Sequence, residues 1–107
     1  MQPLDVTSRP DQDAVEIALT GDLDMNATFK LEPAVYRLLT QRGIRRLVVN
    51  LADVRFIDSA GLGALVSIRE RAEQFGAEVT LANVSDAAQR VLDVTGVDFA
   101  ASTPGRI

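Results

Sequence analysis

The sequence predicts an α/β fold: a single domain with a mixed β-sheet and helices mainly on one face. Three observations carry that expectation. Short apolar runs of strand length alternate with stretches of helical periodicity along the chain. The first two strands are separated only by the turn-like Pro10-Asp11-Gln12-Asp13, which predicts an antiparallel hairpin. Each later strand is separated from the next by a helix, the spacing of parallel crossovers. The expected order is β-β-α-β-α-β-α-β, with a core over about residues 4–101 and a frayed tail over 102–107. The chain has 107 residues, the size of one domain.

Leu4 to Arg9 reads as the first strand and Ala14 to Thr20 as the second, where Val15, Ile17 and Leu19 alternate with Glu16, Ala18 and Thr20. Gly21 to Asn26 forms a polar break. The first helix then runs from Thr28 or later to Arg42, with Leu31, Ala34, Val35 and Leu38 on one apolar stripe. Pro33 either sits in its first turn or kinks it. Gly43 supplies a left-handed stop. Arg46 to Leu51 is a near-continuous apolar run, suited to a buried central strand, and Ala52 to Ile57 leads into a turn at Asp58. The second helix follows from Ala60 or Leu62 to Phe75 and ends at Gly76. Its inward stripe is Gly61, Ala64, Leu65, Ile68, Ala72 and Phe75. Glu78 to Ala82 is a further strand. Ser85 caps a third helix over Asp86 to Val94, with Ala88, Val91 and Leu92 inward and Gly96 as its stop. Phe99 to Ala101 is expected as a short edge strand.

Composition narrows the chemistry. Hydrophobic residues make up 47 % and aromatics only 5 %, so the core is aliphatic. The net charge of −4 argues against nucleic acid as a partner, because such binding rests on Lys and Arg contacts to phosphate. It also offers no attraction to anionic lipid. Cysteine and histidine are absent, which removes thiolate chemistry, the usual general base of serine hydrolysis and the usual zinc ligands. Lys30 is the single lysine and no Walker-type loop surrounds it. The N-terminus lacks a secretory signal and no apolar run reaches the ~20 residues of a membrane span, so a cytoplasmic setting without membrane insertion is expected.

The most informative segment is Asp58-Ser59-Ala60-Gly61-Leu62-Gly63, which follows a buried strand and opens a helix. A serine there lies beside unpaired backbone N–H groups and the positive helix end, where a phosphate dianion is well tolerated. The plain alternative is that Ser59 is only an N-cap. Gly61 and Gly63 in the first turn each cost about 1 kcal/mol relative to Ala, which suggests a need for backbone access or close packing. Leu62 and Val66 fall off the inward stripe. They are either the margin of a wide core face or a small apolar docking surface beside Ser59. Phe29 and Tyr36 lie opposite the first helix's apolar stripe, and either cover a loop or face a partner. Asp22 and Asp24 serve turn hydrogen bonds rather than a metal.

The segment from Asn50 through Gly63 resembles the signature of the STAS domain (sulfate transporter and anti-sigma factor antagonist). Gly21-Asp22-Leu23-Asp24 is similar to that family's segment after the second strand, with Asp22 where Glu is usual. Ala88 to Gly96 is similar to its third helix and stop. The resemblance covers about Leu4 to Phe99. It implies an anti-sigma factor antagonist that binds an anti-sigma factor serine kinase and so releases a sigma factor. Phosphorylation of Ser59 would switch it off and a serine phosphatase would restore it. ATP and magnesium would come with the kinase, so the chain needs no cofactor and is not an enzyme. The partner-binding set this implies is Asp22, Asp24, Asp58, Ser59, Ala60, Gly61, Leu62, Gly63 and Val66. The alternative is a STAS-type accessory subunit of a transporter or signalling complex, in which Ser59 is never phosphorylated.

Overall fold

The computed structural model describes residues 2–96. Alternating apolar residues build a four-stranded sheet in the order β1-β2-β3-β4. β1 (Asp5–Asp11) and β2 (Ala14–Leu23) form the expected antiparallel hairpin, closed at Gln12, which takes a positive φ of 58°. β3 (Arg46–Ile57) runs parallel to β2, and β4 (Glu78–Ala82) parallel to β3. α1 (Met25–Arg42) connects β2 to β3, and α2 (Ser59–Gln74) connects β3 to β4. Both crossovers step the same way across the sheet. Right-handed connections therefore place both helices on one face, where they pack against each other.

The core lies between that face and the two helices. Register aligns Val15 with Leu47 and Val79, and Ile17 with Val49 and Leu81. Leu31 and Val35 of α1 and Leu65, Ile68 and Ala72 of α2 join these rows in one buried cluster. Each such aliphatic side chain contributes about 1.5–3 kcal/mol by leaving water. α3 (Asp86–Thr95) packs on β3 through Ala88 and Leu92, with Val91 half-buried. The predicted caps are present. Ala88 N–H donates to Ser85 Oγ at 3.2 Å, and Gly43 and Gly96 end α1 and α3 in the left-handed region.

Three local expectations are corrected. Gly21 to Leu23 is not a break: β2 continues, pairing Gly21 with Val54, Asp22 with Phe56 and Leu23 with Ile57 across two register shifts. β3 accordingly runs on to Ile57. α1 starts at Met25 rather than at Thr28 or later, and Pro33 lies well inside it, exposed to solvent. Pro33 cannot donate to the Phe29 carbonyl, yet the helix holds because Ala27, Leu31, Val35 and Leu39 are all buried. Phe75 does not face the sheet. It is 44 % exposed and meets Tyr36 edge-on at 6.1 Å, while the Arg71 guanidinium sits 5.2 Å from the Tyr36 ring centroid. The strand expected at Phe99–Ala101 and the tail 102–107 lie outside the described residues.

Candidate functional site

β2 and β3 are neighbours that run in the same direction and end at the same level, with Leu23 beside Ile57. Each then enters a helix through an aspartate. Asp24 Oδ1 accepts from Ala27 N–H at 3.1 Å and caps α1; Asp58 Oδ1 accepts from Gly61 N–H at 2.8 Å and caps α2. The Asp58 N–H also donates to the Leu23 carbonyl at 3.3 Å. The starts of α1 and α2 are thereby tied side by side at the carboxyl end of the strands, the usual place for sites on open α/β sheets.

Ser59 is the first residue of α2 and is exposed. It is not the N-cap. Asp58 has that role, which leaves the serine hydroxyl free of it. The position is close to the positive end of the helix, and the first turn holds no acidic residue. The carboxylates nearest in sequence and register, Asp24 and Asp58, both have a backbone N–H to bind.

The two glycines differ. Gly61 is buried, and a Cβ there would stand 1.9 Å from the Leu23 carbonyl oxygen, so the residue permits α2 to lie against β2. Gly63 is exposed, with nothing within 4 Å of where its Cβ would be. Leu62 is 6 % exposed and Val66 is partly buried against the core, so both belong to the core margin rather than to a free apolar surface. Ala60 is half-buried beside Ser59.

Asp22 is bound to the N-terminal segment. Its Oδ2 accepts from Gln2 N–H at 3.0 Å, its own N–H donates to the Gln2 carbonyl at 3.0 Å, and Arg55 Nη1 donates to Gln2 Oε1 at 2.7 Å. The acid thus fastens the N-terminal segment over Gly21, whose φ of 110° and closeness to the Pro3 carbonyl leave no room for a side chain. A cavity of about 370 Å³ between that segment and α1 is lined by Pro3, Leu4, Asp24, Asn26, Ala27 and Lys30. Lys30 Nζ donates to the Leu4 carbonyl at 2.9 Å. Among the described residues no group of three or more His, Cys, Asp or Glu side chains is placed to hold a metal ion. No helix among them is long and apolar enough to cross a membrane.

Sequence reasoning missed Met25. It is 63 % exposed directly after the α1 cap, and Phe29, one turn on, is 77 % exposed. The signal was available in the four-residue spacing of Met25 and Phe29, but a late helix start hid it.

The STAS domain family model matches residues 5–103. An anti-sigma-B factor antagonist of Staphylococcus aureus is 34% identical over 82 residues, which is 77% of this chain and 75% of that protein. An anti-sigma factor antagonist from Mycobacterium paratuberculosis has the same fold, with TM-score 0.74 at 23% identity over 91% of this chain and 81% of the other. The Bacillus cell fate determinant SpoIIAA in its phosphorylated form matches with TM-score 0.67 at 22% identity, over 87% of this chain and 83% of the other. Fold and sequence together define a STAS domain. The chain belongs to the STAS-domain family of anti-sigma factor antagonists.

Proposed function

We propose that this chain captures an anti-sigma factor with serine-kinase activity while Ser59 is unmodified, and that phosphorylation of Ser59 ends the capture and returns the sigma factor to inhibition. The observation that supports this most is the exposed Ser59 at the first position of α2, with capping done by Asp58. A kinase reaching Ser59 meets a hydroxyl with no structural duty there. The added phosphate brings about −1.5 to −2 charges next to Asp58 and near Asp24. In a closed interface that dianion meets repulsion and loses its hydration, while in the free domain the α2 N-terminus still stabilises it. The partner supplies ATP and magnesium, a separate serine phosphatase resets the switch, and the setting is the cytoplasm. Without histidine, Ser59 and Asp58 have no proton shuttle for hydrolysis, which supports a binding rather than an enzymatic role.

The test is a calorimetric titration of a purified anti-sigma factor kinase with the wild-type chain, Ser59→Ala, Ser59→Asp and the Ser59-phosphorylated protein. Ser59→Ala is expected to bind within about threefold of wild type. The phosphorylated chain is expected to bind at least about 100-fold more weakly, a loss of ~2.7 kcal/mol. Incubation with the kinase and ATP that leaves Ser59 unmodified, with binding unchanged, would instead indicate a constitutive accessory subunit.

A further inference from the structure

We propose that β1 is a dimerisation edge: it pairs antiparallel with β1 of a second copy of this chain, in a register centred on Thr7 that sets Asp5 opposite Arg9 across the contact.

Among the described strands β1 stands at one edge of the sheet, and all of it is exposed except the half-buried Val6. Its hairpin fixes which backbone groups face outward. Asp11 and Ala14 flank the two-residue turn Gln12-Asp13, and a turn of that length closes on a hydrogen-bonded pair. Bonded and non-bonded pairs then alternate along the ladder. Asp11, Arg9, Thr7 and Asp5 therefore bond to β2, while the N–H and C=O groups of Val6 and Ser8 face away from it. Pro10 falls in the outward set, where a missing N–H costs the hairpin nothing. Leu4 continues that set, and its carbonyl accepts from Lys30 Nζ at 2.9 Å.

A row of outward N–H and C=O groups is a template for another strand. Proline and charge ordinarily block such an edge, but here their positions select one register. A symmetric antiparallel pairing of β1 with itself centres on Val6, Thr7 or Ser8. Centred on Ser8, it sets Val6 opposite Pro10, which has no N–H to donate, and Asp5 opposite Asp11, a like charge. Centred on Val6, it sets Ser8 opposite Leu4, whose carbonyl Lys30 occupies, and leaves Arg9 without an acid across from it. Centred on Thr7, it lets Val6 and Ser8 exchange both backbone bonds with Ser8 and Val6 of the second copy. Leu4 then lies opposite Pro10, so the carbonyl that Lys30 has taken meets the residue with no N–H to offer. Asp5 meets Arg9 on both sides of the axis, at non-hydrogen-bonded positions, where facing side chains stand closest. Neither Asp5 nor Arg9 has an ion-pair partner among the described residues, so both charges are available.

The occupant follows from this pattern, because the strand is complementary in charge and in backbone donors to its own reversed copy. The two sheets join with their strands running in opposite directions. The ends that carry Ser59 thus lie far apart, and the contact is independent of the switch proposed above.

Sedimentation equilibrium of the full chain tests this. In about 50 mM salt, where surface charge is weakly screened, the wild type is expected to dimerise with a Kd on the order of 10–100 µM, the strength of a small interface. Ser8→Pro removes an outward N–H and no bond to β2, and is expected to weaken the dimer at least about tenfold. Asp5→Arg and Arg9→Asp each set like charges opposite one another and should also weaken it about tenfold. The two changes combined in one chain should restore dimerisation, and mixing the two single variants should give a mixed dimer. Circular dichroism confirms that each variant is folded. A wild-type chain that stays monomeric at about 500 µM overturns the proposal, since even a weak interface of this size associates there. A dimer that Ser8→Pro and both single charge changes leave intact lies elsewhere on the molecule and overturns it too. So does a failure of both the double variant and the mixture to restore pairing that the single changes have weakened.

Discussion

Two residues apart on α2, Gly61 and Gly63 answer to different constraints. Gly61 faces the Leu23 backbone, where a methyl group would overlap the carbonyl oxygen; Gly63 faces open space. Gly61→Ala should therefore destabilise the domain by more than about 3 kcal/mol, in the range reserved for severe backbone or packing conflict. Gly63→Ala should stabilise it by about 0.5–1 kcal/mol through helix propensity alone. Urea unfolding of both variants checks the pair, and equal effects would remove the packing role assigned to Gly61. The adjacent cap makes a second contrast. Asp58→Ala loses the hydrogen bond to Gly61 N–H and should cost about 1 kcal/mol, whereas Ser59→Ala should stay within about 0.5 kcal/mol. The opposite order would return Ser59 to a structural role. The helical stripe already turns Gly61 inward and leaves Gly63 off it, as found. What the motif does not show is that the neighbour of Gly61 is the backbone of Leu23, far earlier in the chain, or that Asp58 rather than Ser59 is the cap.

At the scale of elements, signals held within a few residues were readable and signals that depend on a neighbouring strand were not. The hairpin, the Ser85 cap and the stops at Gly43 and Gly96 each follow from local chemistry and are found where expected. The extension of β2 through Gly21-Asp22-Leu23 reads as a polar break because its composition is that of a turn. Pairing with Val54 to Ile57 of β3 and the bonds from Gln2 to Asp22 hold it extended. The start of α1 was misplaced for a related reason. Pro33 argued for a late start or a kink, and the Asp24 cap with four buried aliphatics outweighed it. This conflict gives a prediction. Pro33 is exposed, so replacing it removes no core contact and restores a donor to the Phe29 carbonyl. Pro33→Ala should raise stability by about 1–2 kcal/mol, less than the full ~3 kcal/mol penalty of an interior proline because the unfolded chain also gains freedom. It should shift the urea midpoint upward at an unchanged m-value. A decrease would mean that the proline sets a helix geometry the core requires.

For the whole molecule, the parallel pairing of β2 and β3 is what brings Asp24 and Asp58, distant in sequence, to one end of the sheet, and it leaves the core on the other side of both helix starts. A phosphate on Ser59 then acts on a surface feature of a domain whose apolar rows, Val15-Leu47-Val79 and Ile17-Val49-Leu81, do not touch it. The favourable helix-end interaction, about 0.3–1 kcal/mol, opposes repulsion from Asp24 and Asp58 of similar size. Phosphorylation should accordingly change the unfolding free energy by less than about 1 kcal/mol. Amide NMR shifts should move at Asp24 to Phe29 and Asp58 to Gly63, while Ile17, Val49, Gly43 and Gly76 stay in place. Movement of the core signals would show that the switch works through a change of fold. Salt separates the two ways a local phosphate can block docking. Repulsion between exposed charges fades as the screening length falls from about 10 Å at 0.1 M to 3 Å at 1 M, whereas the cost of drying a dianion in a closed interface does not. Burial of Ser59 in the interface proposed for capture predicts the second behaviour: raising salt to about 0.5 M should recover less than a tenth of the affinity lost on phosphorylation. Recovery to near the unmodified affinity would make charge repulsion the whole of the switch.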